Sequence, residues 1–204
     1  MIRMRSRPSL VASALAVLAG PVLASCTGSA TSSPAHHAAS SPARPAAGHP
    51  QPSGPIGSPG HPRLLDCAKE SFTVPPVSER PQPGDLVVGP LFIGDGKNLA
   101  TGNPADFGVH GSYKVPFFLS TGSTATVTIA APARGQVVID AGGTGGGVTA
   151  ATYHACSGQP GFFPQIIAFT NGKIRGCVPL DVAIGHDARV HHVMFSLFAG
   201  RCAS

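Results

Sequence analysis

The chain has 204 residues, with 26 Gly, 21 Pro, no Trp and 2 Tyr, and only 11% of it is charged. So much glycine and proline excludes a helix bundle, because both are costly inside helices, and suits a turn-rich β domain joined to an unstructured stretch. The formal net charge of +5 is no sign of nucleic-acid binding: residues 64–204 hold nine basic and nine acidic side chains, so the excess lies wholly N-terminal to them, and a nucleic-acid interface needs its basic surface on the folded part. In chain order, residues 1–9 carry Arg3, Arg5 and Arg7 and no acid, and residues 10–24 are apolar or small throughout. A basic start followed by such a run predicts a secretory signal peptide over residues 1–25. The run is shorter than the ~20 residues of a membrane-spanning helix, and Gly20-Pro21 argues against a buried helix.

The run ends in Leu23-Ala24-Ser25-Cys26, an aliphatic residue and two small ones before a cysteine. This resembles the lipobox of bacterial lipoprotein precursors. The resemblance covers the first 26 residues. It implies that the Cys26 thiol receives a diacylglycerol, palmitate being a typical chain, and that the signal peptide is cut just before Cys26.

Residues 26–63 then form the lipidated cysteine and a tether. Of the 37 residues 27–63, all but Arg44, Gln51, Ile56 and Arg63 are Pro, Ser, Ala, Gly, His or Thr. One large aliphatic side chain cannot offset the entropy of ordering such a segment, so it is expected to be disordered. His36, His37, His49 and His61 read as solvated linker histidines, since nothing fixes a ligand geometry around them.

Residues 64–204 are expected to be one domain. Thr124-Ala-Thr-Val-Thr-Ile-Ala130 alternates strictly, as on a half-buried strand. Further strands are predicted at Asp85–Ile93, Tyr113–Leu119, Gln136–Asp140, Val148–Ala155, Pro164–Thr170, Val178–Ile184 and Arg189–Phe198. Turn signals separate them at Gly94-Asp-Gly96, Thr121-Gly122, Ala133-Arg-Gly135, Gly142–Gly147, Asn171-Gly172 and Gly185-His-Asp187. Asn171-Gly172 reads as a tight hairpin. Many short strands without any long 3.6-residue period predict an all-β fold, an immunoglobulin-like antiparallel β-sandwich. A small closed β-barrel is the alternative.

Cys67, Cys156, Cys177 and Cys202 remain once Cys26 is assigned, and an even number in an exported domain reads as two disulfides. Of three connectivities the favoured one is Cys156–Cys177 with Cys67–Cys202. The first pair brackets strands joined by the Asn171-Gly172 turn, and the second ties together chain ends that commonly lie close.

Catalytic readings fail on their surroundings. Gly176-Cys177-Val178 with His110-Gly111 upstream resembles the outline of L,D-transpeptidases. Those enzymes place Ser-His-Gly before the cysteine, where this chain has Ile174-Arg175-Gly176. Asp106-Phe107-Gly108 lacks the other parts of a kinase site, and Gly142–Gly147 lacks the Lys-Ser/Thr of a phosphate loop. His186, His191 and His192 lie close in sequence with His154 on another strand, but neighbours on a strand point to opposite faces. Phe117-Phe118 and Phe162-Phe163 should each put one ring in the core, leaving the other for a half-covered edge or a partner patch. Sugar-binding sandwiches stack sugars on Trp or Tyr, which are nearly absent here.

The composition and the Cys177-Val178-Pro179 strand resemble uncharacterised lipoproteins of actinobacterial type, a resemblance that implies no activity. The sequence thus predicts a lipid-anchored extracytoplasmic protein presenting a β-sandwich binding module. Its partners are the membrane, through the N-terminal lipid, and an envelope component. A cell-envelope enzyme or metal-binding protein using His154, His186 and His191 is the alternative. No catalytic residue, metal site, cofactor or nucleic-acid partner is predicted.

Overall fold

The computed structural model describes residues 54–70, 80–109, 111–141, 145–187 and 189–203. The expected signal peptide, Cys26 and the expected tether as far as Ser53 lie outside the described residues, as do His110 and part of the Gly142–Gly147 loop. Among the described residues no helix is long and apolar enough to cross a membrane.

The domain is an all-β sandwich of two sheets. One sheet has five strands: β1 (Arg63–Asp66), β8 (Ala150–His154), β6 (Thr124–Ile129), β10 (Gly176–Ile184) and β11 (Val190–Leu197), neighbours in that order. The other runs β2 (Leu86–Val88), β3 (Leu91–Ile93), β5 (Ser112–Leu119), β9 (Gly161–Phe169) and β7 (Val137–Asp140), with the two-residue β4 (Gly108–Val109) also paired to β5. Two short helices, α1 (Cys67–Glu70) and α2 (Gly96–Thr101), interrupt the strands.

Period-2 alternation builds the core. β5 turns Tyr113, Val115, Phe117 and Leu119 inward, β6 turns Ala125, Val127 and Ile129, β9 turns Phe163 and Ile167, and β10 turns Val178, Leu180 and Val182, all buried. Each large side chain so buried contributes roughly 1.5–3 kcal/mol of transfer free energy. Tyr153 stands among these rings, its ring centre 5.2 Å from that of Phe163 and 5.4 Å from that of Phe117. Burial pushes its phenol far above the usual tyrosine range, so it is a neutral packing element.

Three prolines occupy interior strands, where each would remove a ladder bond. All fall at gaps in the pairing. Pro179 of β10 lies just beyond Leu180, the partner of the last β6 residue. β4 pairs with Ser112 and Tyr113 and β3 with Phe117–Leu119, which leaves Pro116 between them. Pro164 lies beyond Ile166, the partner of the last β7 residue.

Four sequence expectations need correction. The run Asp85–Ile93 is not one strand but the hairpin β2–β3, because Gly89 takes φ 56° and Pro90 lacks a donor. Asn171-Gly172 is no hairpin: β9 and β10 belong to different sheets, and residues 170–175 carry the chain across. The folded part also begins before Leu64. The Gly57 N–H donates to His61 O at 2.7 Å, and Gly57 O accepts from the Thr149 and Ala150 N–H groups at 2.8 Å each. Arg63 already belongs to β1, whose pairing with β8 is parallel.

The fourth correction is the disulfide connectivity. The bridges are Cys67–Cys156 and Cys177–Cys202, with Cα atoms 5.6 and 5.8 Å apart, not Cys156–Cys177 and Cys67–Cys202. Asp66 pairs with His154, so the residues just beyond bring Cys67 against Cys156. The first and last strands do share a sheet, but at its opposite edges with three strands between. Four spacings of about 4.8 Å separate them, far beyond the ~7 Å a disulfide spans. Two such bridges mark a domain folded in an oxidising, extracytoplasmic environment.

Candidate functional site

The described residues hold an apolar groove on the outer face of the β3–β5–β9 sheet. Strand pairing sets Phe92 beside Phe118 and Phe118 beside Phe162, forming a row of rings across three strands. Phe92 and Phe118 stack with centres 4.8 Å apart, and Phe118 and Phe162 meet tilted at 5.1 Å. Phe117 and Phe163, their sequence neighbours, are fully buried on the other face. The doublets therefore divide one in, one out, as alternation predicts. Pro116 extends the floor, and with residues 80–85 and 94–98 as walls the groove encloses about 570 Å³.

The walls are built by hydrogen bonds and glycines. The Asp85 carboxylate accepts from the Gln82 N–H at 2.7 Å and from the Asp95 N–H at 3.0 Å, tying one wall to the other. Asp95 sits at φ 62° and accepts from the Asn98 side-chain amide at 2.6 Å. A methyl on Gly96 would lie 2.3 Å from the Gly84 carbonyl oxygen, and one on Gly94 would lie 2.7 Å from the Phe118 ring. Only glycine permits either approach. The result is an aromatic floor with Arg80, Asp95 and Lys97 at its border. Such a site can bury apolar side chains and orient charged or polar flanks.

The candidate histidines are not gathered into one site. His154 Nδ1 lies 3.4 Å from Asp66 Oδ2 across the β1–β8 pair. His192 Nδ1 lies 2.8 Å from Asp181 Oδ1 across the β10–β11 pair. His186 is exposed in the β10–β11 turn. His191 lies opposite Val182 on the core-facing side of β11, so it and His192 do point to opposite faces. Among the described residues no three His, Cys, Asp or Glu side chains gather as metal ligands. Cys177 is bonded to Cys202, so it is not a free nucleophile, and Asp106-Phe107-Gly108 leads from a 3-10 turn into β4.

The Asp66 carboxyl is held below its ordinary value of 3.8, first by the Ala68 N–H it accepts and then by His154. A carboxyl lowered in the folded state stabilises above its unfolded value, and that stabilisation is lost as pH falls through the folded value. Acid titration of unfolding should therefore show a loss of stability below about pH 3.8 that Asp66→Asn reduces. An identical acid limb in the variant would remove Asp66 from this role.

The sequence points to Phe118 and Phe162 through the doublet pattern. It gives no signal for Phe92, which lies in the unbroken apolar run Leu91-Phe92-Ile93, or for the walls, which meet through loop residues. Compared with family models, curated proteins and solved structures, the chain matches none.

Proposed function

We propose that this chain is an extracytoplasmic lipoprotein, anchored through Cys26, whose β-sandwich presents the Phe92–Phe118–Phe162 groove to an apolar segment of an envelope protein. The row of rings carries the reading. A peptide with apolar side chains suits a phenylalanine floor between charged borders, whereas a wall sugar would call for tryptophan or tyrosine, and neither lines this groove. The disulfides support an oxidising location, and the lipobox supports the anchor.

The test places a photoreactive phenylalanine analogue at position 118 of the full chain, in membranes. The expected result is a covalent adduct with an envelope polypeptide. The same analogue at Thr126, on the outer face of the other sheet, should give none. Phe118→Ser should lower capture of that polypeptide by about tenfold, the loss of one well-packed anchor, while the domain, less stable for two lost ring contacts, stays folded. Equal labelling from both positions, or from neither, would overturn the reading.

A further inference from the structure

Strand β11 is the edge of the five-stranded sheet, away from the sheet that carries the groove. Strand residues alternate the side to which their N–H and C=O groups point. On β10, Pro179 O accepts from Ala130 on the β6 side, and the Gly185 N–H donates to Thr124 on that same side. The even-numbered residues of β10 therefore bond to β11, and their partners there are His191, Val193, Phe195 and Leu197. That leaves the main-chain groups of Val190, His192 and Met194 facing outward. Phe198 and Gly200 continue the same parity, and their N–H groups are taken by Leu99 O at 2.6 Å and Ala100 O at 2.9 Å. Helix α2 thus closes the C-terminal end of the edge, while among the described residues nothing pairs with its first half.

Natural edge strands are blunted by lysine, proline or a bulge. Val190–Leu197 contains neither residue and pairs without interruption. Its open half also carries two of the exposed large apolar side chains, Val190 at 44% and Met194 at 37%. Both lie on the outer face, two positions either side of His192.

We propose that this edge pairs with the β11 edge of a second copy, antiparallel about a two-fold axis through His192. In this register His192 meets His192 of the partner subunit, and Val190 of each copy lies opposite Met194 of the other. Both exposed apolar side chains are then covered by cross-strand pairs, the unit of sheet stabilisation. About six main-chain hydrogen bonds form across the axis, joining two five-stranded sheets into one. A register shifted by one residue at the axis would oppose Val190 to Ser196, whose hydroxyl is buried. Apolar matching and the position of α2 therefore select the same alignment. The matching is of the edge with itself, which is the mark of an isologous contact.

The full chain with His192→Cys, treated in membranes with a short bismaleimide, should give a covalent homodimer. Thr128→Cys, on β6 and roughly 24 Å from its counterpart by strand spacing, should give none. Unmodified full chain in detergent should sediment as a dimer, and Met194→Lys should sediment as a monomer. A monomer for the unmodified chain, equal cross-linking from both cysteines, or adducts from position 192 with other polypeptides only would overturn the pairing. None of these outcomes depends on the groove or on its occupant.

Discussion

Reducing the two disulfides should unfold the domain at temperatures where the oxidised protein is folded. Cys67–Cys156 and Cys177–Cys202 close sequence separations of 89 and 25. From the chain entropy removed in the unfolded state, loops of these lengths contribute about 4.6 and about 3.5 kcal/mol. The net stability of a domain is commonly only ~5–15 kcal/mol, so losing both is comparable with the whole. Removing Cys67 and Cys156 together should lower the melting temperature more than removing Cys177 and Cys202 together. Thermal unfolding with and without reductant measures the first effect, and the two double variants measure the second. A melting temperature indifferent to reductant, or a Cys67–Cys202 peptide in a non-reducing digest, would contradict the fold.

Replacing Cys26 by Ala should abolish membrane attachment of the mature form and leave an uncleaved precursor. The lipobox reading supplies a diacylglycerol on the thiol, and two acyl chains anchor stably where one is marginal. Mass spectrometry of the membrane-bound protein should find Cys26 as its lipid-bearing first residue. An unmodified N-terminus at another residue would remove the anchor from the proposed function while leaving the groove and the edge pairing to their own tests.

Strands were legible where alternation was strict. Thr124–Ile129 reads as a half-buried strand because its threonines and its aliphatic residues fall on opposite faces, and it is one. Sheet membership was not legible. Asn171-Gly172 and Gly185-His-Asp187 carry the same turn chemistry, yet the first joins different sheets and the second neighbouring strands. Turn residues set local dihedral angles, not which strand comes next. β1 gives no sequence signal because Arg63-Leu64-Leu65-Asp66 follows a proline-rich stretch and buries only Leu65. It pairs with residues far along the chain, and the disulfide connectivity, which depends on that pairing, is no more legible than the strand. The groove was half legible. Alternation exposes Phe118 and Phe162, whereas Asp85 joins the walls through backbone N–H groups that no side-chain period announces.

The place of the Cys67–Cys156 bridge has a mechanical consequence. Tension applied to the chain from its N-terminal side reaches the domain at the Gly57 turn and then at β1, an edge strand of four residues held by a single neighbour. Hydrogen bonds at such an edge yield one after another under load. The bridge follows β1 directly and joins it to the segment just beyond β8. Peeling must therefore stop at Cys67, where the load passes through a covalent bond into the segment after β8, a strand that stays paired with β6 along its length. The domain can lose β1 to a pull and keep the remaining ten strands, with the groove and the β11 edge intact.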